Sequence, residues 1–296
     1  MSKLTSIKDL NDIIVSNEEH ILRFLDDVDL QDSVWVFDFD GNLIHKWFNS
    51  FAPIDYADAD HEWVLEKMKT YMLCIEDSLS YTHLDKILKD QDVSLPDDVR
   101  TLSQQLDFQD FKDNQMNHRW DFTMQKAVEW KLPMNNFDLA DLSWRPWAKE
   151  LVSTLLDHNI QVLIISSWIG NLIRHAVSES WFDLDHPCLQ VKSNDFLLDE
   201  EWYCEWYDPD LITPFTKMHV DYHKYGISDK KFAIQSGNSL WDAQMITDHF
   251  PRKHILNIWF TNWKKSKLDT FPDRFDIVMT KKSSSFEHIQ KLLLHT

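Results

Sequence analysis

The sequence predicts an α/β fold: a parallel sheet core interrupted by a long helical insertion. Three observations predict it. Short apolar runs alternate with amphipathic helical stretches, the pattern that builds parallel sheets through right-handed crossovers. Three of those runs end in polar turns that carry scarce glycines, Gly41, Gly170 and Gly237. Residues 47–142 offer no convincing strand and instead space Leu, Met and Trp helically among Asp, Gln and Lys. The 296 residues then divide into a core, 1–46 with 143–296, and an inserted helical cap, 47–142.

The elements follow in order. Residues 4–30 read as one or two short amphipathic helices with acidic faces. Residues 34–37, Val-Trp-Val-Phe, form a buried strand ending at Asp38-Phe39-Asp40-Gly41-Asn42. Inside the insertion, Ser94 is placed to cap a helix. Pro146 suits a first helical position, and the helix it opens runs through Leu151, Leu155 and Leu156 to Asn159. Residues 160–165 form the next strand, followed by Ser166-Ser167-Trp168-Ile169-Gly170 and another helix. Residues 190–192 read as a short strand, and 195–215 as a β-hairpin or irregular loop. A helix is expected from Lys217, capped by Gly226. Strands are expected at 232–235, 255–260 and 275–279, with a last helix over 285–294.

Composition narrows the function. No apolar run approaches the roughly 20 residues a membrane helix needs. The first residues, Met1-Ser2-Lys3-Leu4, lack the layout of a signal peptide. Cys74, Cys188 and Cys204 are odd in number and form no CxxC pair, which fits a reducing compartment; a cytoplasmic protein is expected. The net charge of -19 repels a phosphate backbone, so no nucleic acid polymer and no membrane partner is expected. A small phosphorylated substrate is repelled too, unless a metal ion and a well-placed Lys or Arg overcome the field locally.

The strand ends carry the chemistry. Asp38 and Asp40 lie two apart on leaving a strand, so alternation puts both on one side. One carboxylate can attack phosphorus while its neighbour shuttles a proton, and the pair attracts a hard cation such as Mg²⁺. Asp and Gly also favour turns, so the motif alone leaves both readings open. Ser166 and Ser167 at a helix start offer a phosphate seat, or simply a cap. Gly237-Asn238-Ser239-Leu240-Trp241-Asp242 offers oxygens to a metal, or forms a turn. Lys217 can neutralise charge developing on a phosphoryl group, or be a solvated surface residue. Independent turns would not place this set on three successive strand ends in this order.

That order, DxDG at 38–41, Ser166, Lys217 and GNSxxD at 237–242, resembles the four motifs of the haloacid dehalogenase superfamily. The helix-strand unit from Arg145-Pro146-Trp147 to Ser166 is similar to the one carrying its second motif. A closer resemblance is to the cytosolic pyrimidine 5'-nucleotidase family. It rests on Ser166-Ser167-Trp168-Ile169-Gly170, on Ser193-Asn194, and on the segments 255–258 and 276–278. The resemblance implies a Rossmann-like core with a helical cap and a Mg²⁺-dependent phosphomonoester hydrolase working through an aspartyl phosphate. Asp38 would be the nucleophile and Asp40 the acid and base. Ser166, Ser167 and Lys217 would hold the phosphoryl group, with Asn42 and Trp168 beside the substrate. Asp38, Asp40, Asn238 and Asp242 would form the metal site.

The chain departs from the family pattern at Asn238, where Asp is usual, at Asn42, where Thr is usual, and at Trp168, where a small residue is usual. Trp168 either narrows the site, stacks on an aromatic leaving group, or packs like Trp47 and Trp241 between core and cap. His219 and His223 have an i,i+4 spacing that binds zinc on a helix, but no third ligand lies nearby. Two other functions stay open: a catalytically impaired relative that binds a phosphorylated ligand or protein, and a protein phosphatase. The sequence leaves the oligomeric state open.

Overall fold

Five consecutive residues, Ser33–Phe37, are all buried, which requires a strand covered on both faces and paired on both edges. The structure, a computed structural model, describes residues 13–44, 121, 124–125, 127–128, 131, 134, 143–180, 182–213, 216–239, 242–261, 274–280 and 284–294. In chain order these form strand β1 (Ile13–Val15), helix α1 (Glu18–Asp27), strand β2 (Ser33–Phe37), helix α2 (Ala148–Asp157), strand β3 (Gln161–Ile169) and helix α3 (Gly170–Ser178). Strands β4 (Leu189–Asn194), β5 (Phe196–Leu198), β6 (Cys204–Tyr207), β7 (Phe232–Gly237), β8 (Ile255–Phe260) and β9 (Ile277–Met279) follow, then helix α4 (Glu287–Leu293). Most of the insertion expected over 47–142, with Ser94 and Trp47, lies outside the described residues, as does Trp241.

The chain divides into two compact units. Met1–Phe48, Asp138–Asn194 and Pro214–Thr296 form the first; Asn49–Phe137 and Asp195–Thr213 form the second. The first holds a seven-stranded sheet in the order β1-β9-β8-β7-β2-β3-β4. All its pairings are parallel except β1 with β9. The α/β core with a mostly parallel sheet is therefore as expected. Phe37 of β2 lies opposite Ile164 of β3 on one side and Ser236 of β7 on the other. Both neighbours come later in the chain and lie on opposite sides, so the carboxyl end of β2 is a switch point where open α/β sheets form a crevice.

The helices bury the stripes their spacing dictates. In α2 these are Ala148, Leu151, Val152, Leu155 and Leu156, a pattern at i, i+3, i+4, i+7 and i+8. Asn159 ends that segment with a left-handed φ of 53°. Trp35 and Phe37, two apart on one face of β2, stack at 5.9 Å, and Phe37 meets Phe286 edge-on at 5.8 Å, just before α4.

Several elements differ from expectation. Of the helical reading of 4–30, residues 4–12 lie outside the described residues; among the rest α1 is helical, while the short run at 13–15 joins the sheet edge against β9. The helix after Pro146 begins at Ala148, because Trp147 takes a left-handed φ of 64°. The strand expected at 160–165 continues to Ile169, so Ser166-Ser167-Trp168 are strand residues. The helix expected from Lys217 is two 3₁₀ turns, Lys217–His219 and Tyr222–Tyr225, separated by an extended Val220 with ψ 130°. Gly226 does close the second turn, at φ 63°. His219 and His223 therefore sit on separate turns, which removes the helical spacing behind a zinc reading.

In the second unit, β5 and β6 form an antiparallel hairpin, with Leu197 opposite Trp206. Tyr207 donates to Asp121 Oδ1 at 2.6 Å, and Met134 N donates to Trp202 O at 2.8 Å. The positions described between 121 and 128 are helical. Among the described residues, no helix is long and apolar enough to cross a membrane.

Candidate active site

The ladder between β2 and β7 runs one residue past the strand, since Asp38 N donates to Ser236 O at 2.9 Å. The chain then turns away through Phe39–Leu43, closed by Ile44 N donating to Phe39 O at 3.2 Å. Gly41 takes φ 68° inside this turn, a conformation that L side chains strain to adopt. Asp38 thus leaves the sheet at the switch point with its carboxyl nearly buried. Its Oδ1 accepts from Phe39 N at 2.9 Å and from Lys217 Nζ at 2.8 Å. Its Oδ2 accepts no hydrogen bond among the described residues.

Lys217 Nζ also donates to Asp242 Oδ1 at 2.8 Å. The three side chains are between 1% and 8% exposed, so this is a buried triad of one cation and two carboxylates. Burial pushes the Asp38 carboxyl up to about 7; Lys217 pulls it down, and the Asp242 charge pushes it up again. Burial disfavours the Lys217 ammonium, but Asp242 and Asp38 outweigh that and hold it above the usual lysine range.

Asp242 is fully engaged. Its Oδ2 accepts from Asn238 N at 3.0 Å and Ser239 N at 2.8 Å, which ties the turn after β7 to Lys217. The approach is so close that a Cβ on Gly237 would lie 2.2 Å from Asp242 Cβ. Gln235 supports the turn from below, donating to Ala243 O at 2.6 Å.

Ser166 is buried, and its Oγ accepts from Trp168 N at 3.2 Å. Ser167 is half-buried, and its carbonyl accepts from Asn194 Nδ2 at 2.7 Å. Trp168 is 2% exposed and lies parallel to Phe39 at 6.4 Å, which makes it part of the packing under the turn. Asn42 is fully buried; its Nδ2 donates to Ser236 Oγ at 2.8 Å, while its Oδ1 has no hydrogen-bond partner among the described residues. Asp40 is partly exposed beside Asp38. The structure thus brings Asp38, Lys217 and Asp242 into direct contact and sets Asn238 against Gly41, where a Cβ would lie 1.9 Å from Asn238 Nδ2.

Among the described residues, no group of three or more His, Cys, Asp or Glu side chains is arranged to hold a metal ion. Asp38 Oδ2 and the Asn238 side chain make no hydrogen bond among the described residues, so each can offer an oxygen to a cation. An all-oxygen set with few protein ligands suits a hard cation that keeps several waters, which is the habit of Mg²⁺.

Arg145 escaped the reading of the sequence as a site residue. It grips the turn that follows Asp38, at Gly41 and Asn42. An arginine beside a proline carries no signal of that role, because backbone carbonyls are invisible in a residue string.

A mostly parallel sheet with a buried Asp-Lys-Asp triad at its switch point is the arrangement that the resemblance to the haloacid dehalogenase superfamily implies. The pyrimidine 5'-nucleotidase (UMPH-1) family model matches residues 110–295, and the chain belongs to that family, whose members are phosphomonoester hydrolases. The fold is similar to that of cytosolic 5'-nucleotidase IIIB bound to cytidine, with a TM-score of 0.71 at 17% identity over 99% of this chain and 97% of that one. A substrate-bound phosphoserine phosphatase matches more loosely, with a TM-score of 0.46 at 12% identity over 88% of this chain and 97% of that one.

Proposed function

We propose that this phosphomonoester hydrolase cleaves a nucleoside 5'-monophosphate through an aspartyl phosphate on Asp38. The observation that carries the reading is the asymmetry of the Asp38 carboxyl: Oδ1 holds two donors while Oδ2 holds none. An oxygen fixed on one side and open on the other is a nucleophile already oriented. Asp38 Oδ2 forms a bond to phosphorus as the ester P–O bond breaks. The leaving oxygen takes a proton from Asp40. Water then gives a proton to the Asp40 carboxylate and attacks phosphorus, which frees phosphate and restores Asp38.

Lys217 stays charged throughout and offsets the negative charge that gathers on the phosphoryl oxygens. Ser166 and Ser167, in the carboxyl-terminal half of β3, supply hydroxyl groups to the phosphoryl group. Asp242 works by holding Lys217 and the Asn238-Ser239 turn. Asp38, the Asp40 carbonyl and Asn238 would hold Mg²⁺, which supplies charge neutralisation when bound. The enzyme works in the cytoplasm. The intact triad favours an active enzyme over an impaired relative.

The test is an assay of the purified protein with Mg²⁺ against nucleoside monophosphates, sugar phosphates and an aryl phosphate, beside the Asp38→Asn variant. Turnover of pyrimidine monophosphates, abolished in the variant, is expected. A folded variant that keeps full activity would overturn the nucleophile assignment.

A further inference from the structure

One residue takes three successive carbonyls of the turn that follows Asp38. Arg145 Nη2 donates to Gly41 O at 2.6 Å, Arg145 Nε donates to Asn42 O at 2.6 Å, and Arg145 N donates to Leu43 O at 2.8 Å. Its Nη1 donates to Ser284 O at 3.3 Å, and its guanidinium lies 4.2 Å from the centre of the Phe260 ring at the end of β8. The residue is 5% exposed. Burial pulls the guanidinium down to about 10, and it stays charged at neutral pH. A planar fork presents its N–H donors in fixed directions that match two adjacent carbonyls; an ammonium on a flexible stem holds no such fixed directions.

We infer that Arg145 is a positioning residue for the proposed nucleophile: its grip on Gly41, Asn42 and Leu43 sets the turn that aims Asp38 and Asp40 into the crevice. A planar trans peptide places N–H opposite C=O, so the same grip fixes the N–H groups of Asn42 and Leu43 on the side away from the guanidinium. The grip also holds Gly41 at its positive φ, against Asn238. The first and third of the strand ends that carry the site are thereby locked together from beneath. The sheet itself does not depend on Arg145, because β2 is already paired along its length with β3 and β7.

The inference rests on the proposed function for its catalytic consequence, but its structural consequence is measured separately. Arg145→Lys and Arg145→Met are compared with the wild-type chain by amide hydrogen exchange and by steady-state kinetics on the best phosphomonoester. In Arg145→Lys, exchange across residues 39–44 is expected to rise at least about tenfold while the amides of β2 keep their protection. In the same variant kcat is expected to fall about thirtyfold or more with KM within about threefold, because misaimed groups lose rate rather than ground-state binding. Arg145→Met is expected to be worse in both respects; if it does not fold, the lysine variant decides. Unchanged exchange at 39–44, or a uniform rise that includes β2, would overturn the positioning role. So would a folded lysine variant with kcat within threefold of wild type. If the wild-type chain turns over no phosphomonoester, the proposed function fails, and the exchange pattern alone decides the role of Arg145.

Discussion

Gly41 and Asn238 meet so closely that a Cβ at position 41 would lie 1.9 Å from Asn238 Nδ2 and 2.9 Å from Asn238 Cγ. The two residues come from different strand ends, and the contact joins the turn after β2 to the turn after β7.

Gly41→Ala therefore carries two penalties. One is the steric overlap with Asn238; the other is the left-handed φ of 68°, which costs a non-glycine residue about 1–2 kcal/mol. The variant is expected to fold with a lowered Tm and to lose activity by roughly a hundredfold, because Asn238 and the Asp38 turn must both shift. A thermal melt beside a progress curve checks this. Wild-type activity at position 41 with alanine would show that the contact does not set the site.

Lys217 is the only cation in its triad, and both partners are buried carboxylates. Removing one partner of a buried ion pair leaves uncompensated charge and costs about 3–5 kcal/mol. Lys217→Met is expected to lose stability on that scale by denaturant titration, and to lose turnover. Asp242→Asn leaves Lys217 one carboxylate and still offers an amide oxygen to the N–H groups of Asn238 and Ser239, so a smaller stability loss is expected. A methionine variant as stable as wild type would mean that the triad is not buried in solution.

Cys204 of β6 is 1% exposed, and burial together with the Asp199 charge pushes its thiol up to about 12. The thiolate is the reactive form, so labelling of Cys204 at pH 8 is expected to be about a thousandfold slower than for a free thiol. The sign for stability follows from the raised value. The contribution is fully present below the unfolded thiol value of about 8.5 and is lost as pH rises toward about 12. Cys204→Ala should flatten the fall in stability between pH 8 and 10. Rapid labelling of Cys204 by mass spectrometry in the folded protein would contradict the burial.

Much of this was legible beforehand because the signals are local. A run such as Val34-Trp35-Val36-Phe37 has one comfortable conformation, and a polar turn directly after it marks a strand end. Asp38, Lys217 and Asp242 could be named because each residue type suits its chemistry, and the structure places them in contact. What escaped depends on partners distant in sequence. The stretch Ile13–Val15 is a strand only because β9 offers an edge. Ser166-Ser167-Trp168 read as a loop from composition, yet stays extended, with Ile169 pairing Asn194 of β4. The segment after Lys217 has helical composition but breaks at Val220, where Lys217 must turn inward to reach two carboxylates.

Asn238 supplies the sharpest test of the metal proposal, because a single atom change alters charge and leaves shape alone. The Asn238 side chain makes no hydrogen bond among the described residues, and its main-chain N–H already serves Asp242. Asn238→Asp therefore breaks no side-chain bond there but adds a negative charge near Asp38 and Asp242. Without metal, that charge meets two carboxylates and only the Lys217 cation, so the variant is expected to melt below wild type in EDTA. With Mg²⁺, the added carboxylate is a better hard ligand than an amide, so half-saturation is expected at a roughly tenfold lower concentration. The variant thus starts below wild type in EDTA and gains more from Mg²⁺ than wild type does, read by Tm alone with no substrate present. A general loss of packing lowers Tm in both conditions, and a residue remote from the metal changes neither the EDTA melt nor the titration. Parallel Mg²⁺ titrations for the two proteins would remove position 238 from the metal site.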